Sequence, residues 1–222
     1  MEAIRFNKVT KQFKQGNQTF TALKETSLTI NKGEFVAIIG PSGSGKSTFL
    51  TLAGGLQQPT QGEIWINQKD MTTLSQNQLS QLRFDEIGFI LQSSNLVPYL
   101  TVNDQFKFVD TFGSKNNSPF KEELLQELDI VSLKGHYPDD LSGGQRQRVA
   151  IAKALYNDPS VILADEPTAS LDTEHAYEVV NILSKQANQL NKAIIMVTHD
   201  ERLINYCDRV FTMIDGQLTE QK

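Results

Sequence analysis

The feature that most constrains how this chain folds is a glycine-rich turn, Gly40-Pro-Ser-Gly-Ser-Gly-Lys-Ser47, placed directly after the apolar run Phe35–Ile39. A strand must end and a helix begin within these few residues, because the pattern GxxxxGK[ST] joins those two elements. Its glycines let the backbone curl so that successive amides face inward, and the helix starting near Lys46 adds the positive end of its dipole. Such a cradle suits phosphate oxygens. Lys46 is then expected to reach the β and γ phosphates and the Ser47 hydroxyl to ligate Mg²⁺. The plainer alternative is a Gly-rich turn without a ligand.

Three more apolar runs, Ile87–Leu91, Val161–Ala164 and Ala193–Val197, are continuous rather than alternating. They predict strands covered on both faces, as in a parallel sheet. Between them lie helical patterns. Thr173 to Leu190 carries Ala176, Val179, Val180, Leu183, Ala187 and Leu190 on one face, and QRQRVAIAKAL after Gly144 runs on to the stop at Asn157-Asp158-Pro159. Alternating strands and helices predict the α/β class. Residues 1 to 35 and about 60 to 75 alternate instead, as in Glu63-Ile-Trp-Ile66, and predict a small antiparallel lobe. From about 93 to 140 no strong strand signal occurs, while Glu122 to Leu133 has a helical period, which predicts a mostly helical insertion. Arg209–Ile214 followed by Asp215-Gly216 predicts a closing hairpin.

Length and charge set outer bounds. A chain of 222 residues can bury a core without staples, and its single cysteine, Cys207, has no partner for an internal disulfide and reads as a buried thiol. His136, His175 and His199 show no paired metal-ligand spacing. Twenty-one basic against 26 acidic residues give a net charge of −5, the wrong sign for a nucleic-acid partner. The start, MEAIRFNKVTKQF, has no apolar stretch of signal-peptide length, and the apolar runs of five residues fall short of the roughly 20 that a membrane span needs. The chain is expected to be soluble by itself.

Two further strings carry chemistry. Val161-Ile-Leu-Ala-Asp165-Glu166 sets two carboxylates at the end of a buried strand, where an open α/β sheet has its ligand crevice. Asp165 fits a Mg²⁺ holder and Glu166 a general base that polarises water; the alternative is a pair of acids capping helix amides. Leu141-Ser-Gly-Gly-Gln145 opens a second helix with a Ser hydroxyl and unshielded Gly amides, a second anion site. One triphosphate already has its cradle. The economical solution is that residues 141 to 145 of one copy face the γ phosphate held by another.

Together these strings resemble the nucleotide-binding subunit of ATP-binding cassette (ABC) transporters, and the similarity spans nearly the whole chain. The resemblance implies a P-loop NTPase fold of the ABC ATPase kind over residues 1–222: a parallel-sheet core, an antiparallel β subdomain and a helical subdomain inserted at about 93–158. It implies an ATPase with ATP and Mg²⁺ as its cofactors. ATP binding falls to Gly40, Pro41, Ser42, Gly43, Ser44, Gly45, Lys46, Ser47 and Thr48, with Asp172 also implied at the nucleotide, and from the facing copy to Ser142, Gly143, Gly144 and Gln145. Ser47, Asp165 and Gln92 are implied around the metal, and Glu166, His199, Lys46 and Gln92 in hydrolysis. Gln92 resembles the glutamine that links the site to the helical lobe, Ser170-Leu171-Asp172 the loop that crosses the dimer interface, and His199 the switch histidine; a lone His at a strand end is otherwise usually structural. Phe13 is the candidate for stacking on adenine, with Phe20 as its rival.

Within the family, Glu166-Pro-Thr-Ala before Ser170 and the segment Ile87-Gly-Phe-Ile-Leu-Gln-Ser-Ser-Asn-Leu-Val-Pro-Tyr-Leu100 resemble the MacB/LolD-type group, and the latter segment is similar to ATPases of HrtA-type haem exporters. The resemblance implies a head-to-tail homodimer at the cytoplasmic face of the cell membrane, held there by a permease of the FtsX/MacB type and powering export of haem, or of a peptide or drug. The alternative is transmembrane signalling or lipoprotein release without solute transport. The apolar loop Asn95–Leu100 is a candidate groove for a permease helix, or else folds onto its own lobe.

Overall fold

The computed structural model describes residues 1–16, 18–113, 118–169 and 171–221. Its elements are β1 (Glu2–Gln15), β2 (Gln18–Asn31), β3 (Phe35–Ile39), α1 (Lys46–Ala53), β4 (Gln61–Ile66), β5 (Lys69–Asp70), α2 (Gln76–Glu86), β6 (Ile87–Ile90), α3 (Val102–Asp110), α4 (Ser118–Glu127), α5 (Gly143–Leu155), β7 (Val161–Asp165), α6 (Thr173–Asn188), β8 (Ala193–Val197), β9 (Arg209–Ile214) and β10 (Gln217–Glu220). Two sheets organise them. A six-stranded sheet runs β10-β9-β3-β8-β7-β6, parallel except for the antiparallel hairpin β9–β10, and a four-stranded antiparallel sheet runs β2-β1-β4-β5. Antiparallel lobe, parallel core and closing hairpin all stand where the patterns place them.

The apolar strands are buried on both sides because alternate residues serve different cores. Phe35, Ala37, Ile39, Ile162, Ala164, Ile194 and Met196 pack with α3, α4, α5 and α6. Val36, Ile38, Val161, Leu163, Ala193, Ile195 and Val197 pack with α1, α2 and the antiparallel sheet. Period-two alternation thus feeds two cores, so these strands are apolar on both faces until Asp165 at the end of β7.

Helix boundaries follow local chemistry. α5 begins with a capping box in which the Ser142 hydroxyl accepts from the Gln145 amide and the Gln145 side chain accepts from the Ser142 amide. α6 is capped by Asp172 and stops at Asn188, short of the expected end; Leu190 is 51% exposed rather than on the apolar face. The expected helix from Glu122 to Leu133 divides, because Asp129 takes φ 51° and turns the chain after Glu127. α2, which no apolar period announced, carries its own capping box at Ser75 and Gln78. Cys207 is buried, at 4% exposure.

Candidate active site

Residues widely separated in sequence meet because four neighbouring strands end on the same edge. β3, β8, β7 and β6 lie side by side in parallel, and their carboxyl ends lead to Gly40, His199, Glu166 and Gln92 in turn. Register fixes the juxtaposition: Val197 is opposite Asp165 on one side and Ile38 on the other. An open cavity of about 450 Å³ lies along this edge. Its wall includes Gly40, Ser42, Gly43, Gly45, Lys46, Ser47, Thr48, Gln92, Asp165, Glu166 and His199, joined by Phe20 and Ala22 from β2 and by Val197.

The turn after β3 closes by its glycines. Gly45 has φ 110°, and a Cβ there would stand 2.5 Å from the Ala22 carbonyl oxygen, so only glycine fits. As the N-cap of α1 it also offers no side-chain acceptor, which leaves the first amides of the helix for a ligand. Ser44 is buried and packed within the turn, and Pro41 accepts from its amide at 3.3 Å. Lys46 Nζ donates to the carbonyl oxygens of Gly40 at 2.7 Å and Pro41 at 2.8 Å. The cation of the cradle thus rests on its own loop.

The acid pair faces this turn. Asp165 is hydrogen-bonded to Ser47, yet burial and the neighbouring Glu166 hold its carboxyl above the usual carboxylate range, partly offset by Ser47 and Lys46. Glu166 takes φ 49°, with its amide donating to the Val197 carbonyl, and its Oε2 is 2.8 Å from His199 Nδ1. This contact joins the ends of β7 and β8 inside the cavity.

Several expected residues stand elsewhere. Ser142, Gly143, Gly144 and Gln145 do not line the cavity; they form the cap and first turn of α5, with Ser142 exposed. Asp172 also lies off the cavity wall, capping α6 and paired with His175 Nδ1 at 2.7 Å, contacts that hold its carboxyl below the usual range. Ser170 lies outside the described residues. Phe13 and Phe20 are cross-strand partners near the β1–β2 turn, but Phe20 stands in the cavity wall whereas Phe13 lies under the Lys11 ammonium at 5.1 Å. The rival aromatic, not the first choice, is therefore the one that faces the cavity.

The loop after Gln92 is tied to its own helical lobe. Gln105 on α3 accepts from the Val97 amide and donates to the carbonyls of Val97 and Leu100, and Lys153 on α5 donates to the Asn95 carbonyl. Leu96 packs on the core while Tyr99 is 79% exposed, so only part of this loop presents an outward face. Sequence reading did not single out Gln147. This residue is 2% exposed, and its Nε2 donates to the Pro167 carbonyl at 2.9 Å and more distantly to the Leu91 carbonyl at 3.4 Å. A lone polar residue among the otherwise apolar buried positions of α5 was the available signal.

Comparison with known proteins agrees with this geometry. The family model described as ABC transporter matches residues 23–169. An uncharacterized ABC transporter ATP-binding protein of Methanocaldococcus jannaschii, MJ0796, is 38% identical, over 99% of this chain and 96% of its own. A putative hemin import ATP-binding protein, HrtA of Staphylococcus haemolyticus, is 41% identical, over 97% of this chain and 99% of its own. Among solved structures, the ATP-binding cassette MJ0796 in a dimeric post-hydrolysis state with ADP and Pi superposes with a TM-score of 0.91, at 38% identity over 99% of this chain and 98% of that one. The cbiO1 protein of Clostridium perfringens, part of the ABC transporter complex cbiONQ, gives 0.86 at 30% identity, over 98% of this chain and 87% of its own. The chain belongs to the ABC transporter family, as one of its ATP-binding, ATP-hydrolysing cassettes.

Proposed function

We propose that this cassette works as a head-to-tail pair of copies that hydrolyses MgATP to drive export of haem through a separate membrane permease. The observation that carries the two-copy reading is the split already described: the phosphate cradle and acid pair share one cavity, whereas Ser142–Gln145 sit outside it on a helix start whose Ser142 is exposed. Support also comes from the dimeric state of the similar MJ0796 cassette. The Ser142 hydroxyl accepts from Gln145 and so keeps its own proton to donate outward, toward a phosphate held by the facing copy.

Within one copy, the phosphates displace the Gly40 and Pro41 carbonyls as partners of Lys46, and the uncapped amides of α1 bind the adjoining oxygens. Ser47 and Asp165 supply a hydroxyl and a carboxylate, hard oxygen donors that suit Mg²⁺ held jointly with substrate phosphates; bound there, the ion would neutralise developing charge. Glu166 orients the attacking water and takes its proton, and His199, now held by Glu166, turns to the γ phosphate. Loss of that phosphate removes the charge shared by the facing helix starts, and the copies part.

The permease partner is supported by family membership and by cbiO1 belonging to a transporter complex. Haem as cargo is supported by the 41% identical HrtA, whose name specifies hemin import; the outward direction is the sequence expectation. Among the described residues no helix is long and apolar enough to cross a membrane. Phe20 serves as the adenine-stacking surface because it faces the cavity.

A mixing experiment tests the paired site. Ser142→Arg and Lys46→Ala chains should each be inactive alone, and mixing them should restore turnover through one intact composite site per pair. Failure to complement, or two equally active sites in the mixture, would refute the trans arrangement. Cargo and direction are read by copurifying the permease and following haem efflux from vesicles loaded with haem.

A further inference from the structure

We propose that Gln147 is the positioning residue through which contact at the start of α5 sets the geometry of the hydrolytic residues in the same chain. The inference rests on the reading that Ser142–Gln145 receive the nucleotide of a facing copy. One side-chain amide bridges three segments. It belongs to the second turn of α5, and it donates to the carbonyls of Leu91 and Pro167. Leu91 directly precedes Gln92, and Pro167 directly follows Glu166. Both of those neighbours line the cavity, which α5 itself does not.

The mechanical content is specific. Glu166 sits at φ 49°, a backbone state that a non-glycine residue holds only when its surroundings fix it. Its turn is fastened by the Glu166 amide on Val197, the Ala169 amide on the Glu166 carbonyl, and Gln147 on the Pro167 carbonyl. Only the last of these comes from the helical lobe. A helix start drawn toward a facing phosphate therefore moves the donor that holds the Glu166 turn and the Gln92 segment together. At 2% exposure, the amide has little water to replace the carbonyls it would leave. The Gln147 amide bonds to the Leu91 and Pro167 carbonyls, next to Gln92 and Glu166 in the chain, so its effect on the reaction passes through these two segments.

Gln147→Met keeps length and volume but removes the donor, and Gln147→Glu, isosteric with the parent, carries the same prediction should methionine pack poorly. In the full chain, nucleotide affinity should stay within about twofold of the parent, while kcat falls about tenfold or more and the Hill coefficient for MgATP drops from about 2 toward 1. In a Glu166→Gln background, the ATP-driven pair should still assemble. A purely structural role would instead lower the thermal midpoint and weaken nucleotide binding in proportion to the lost activity, and that outcome overturns the proposal, as do parental kcat and cooperativity in both variants. If Glu166→Gln with Gln147 intact fails to pair on ATP, the two-copy reading itself falls and takes this inference with it. If that pair forms and the Gln147 variants cycle normally, only the assignment of Gln147 fails.

Discussion

Glu166 shows how a single position gathers several constraints. Its neighbour Asp165 completes the β7 ladder opposite Val197, while Glu166 itself breaks from the strand at φ 49° and meets His199 at 2.8 Å. One change of backbone state thus gives the two acids different partners, Ser47 for Asp165 and His199 for Glu166. Substituting Gln for Glu166 preserves size but removes the proposed base, so turnover should fall by roughly 10²–10⁴-fold while ATP binding persists. Size-exclusion chromatography with MgATP should then show accumulation of the paired form, and unaltered turnover would remove Glu166 from the reaction. The acids and the phosphate cradle were legible in sequence because each is a contiguous string. The contact between His199 and Glu166, 33 residues apart, was not, since it depends on β7 and β8 being neighbours. Phe20 stood second to Phe13 for the same reason: letters do not tell which member of a cross-strand pair borders a cavity.

At the level of elements, α1 and α5 begin in opposite ways. α1 starts from a glycine without a side-chain acceptor, whereas α5 is closed by its own Ser142 and Gln145. The parallel strands and α6 announced themselves through apolar runs and a clean helical period. α2 did not, because only Leu79 and Leu82 of its eleven residues are buried, and the faint signal lay in its capping box. The limits of β1 and β2 were also blurred, since register shifts around Val9 and Lys11 scramble their alternation. α1 is anchored on that lobe by Phe49, whose ring stacks on Phe6 with centroids 4.6 Å apart. Phe49 is fully buried and directly follows Thr48. Phe49→Ala should cost about 3–5 kcal/mol, read as a lower denaturant midpoint, and should loosen the cradle so that nucleotide affinity falls as well. A stable variant with unchanged affinity would show that the stack does not position the turn.

For the molecule as a whole, acid sensitivity divides by sign. Partners hold the carboxyls of Asp104, Glu122, Asp172, Asp200 and Glu220 below their usual values, so each adds stability above its unfolded pKa that is lost as pH falls. Asp165 runs the other way. Its raised carboxyl binds a proton more readily in the folded chain than in the unfolded one, so it subtracts stability once pH rises through its folded value. Without nucleotide or metal, Asp165→Asn should therefore melt a few degrees above the parent at neutral pH. The gap should close as pH falls below the ordinary aspartate value of 3.8, while MgATP should stabilise the variant less than the parent. A neutral-pH melting point equal to or below the parent's would show that the acid pair is not a burden on the resting fold.

The antiparallel sheet has a consequence beyond support. Phe20 reaches the cavity from β2, in a different sheet from the one whose strand ends carry the cradle and the acids. On the stacking role proposed for Phe20, drift in the hairpin tip would alter how firmly the base is held while the bond-breaking apparatus stays as it was.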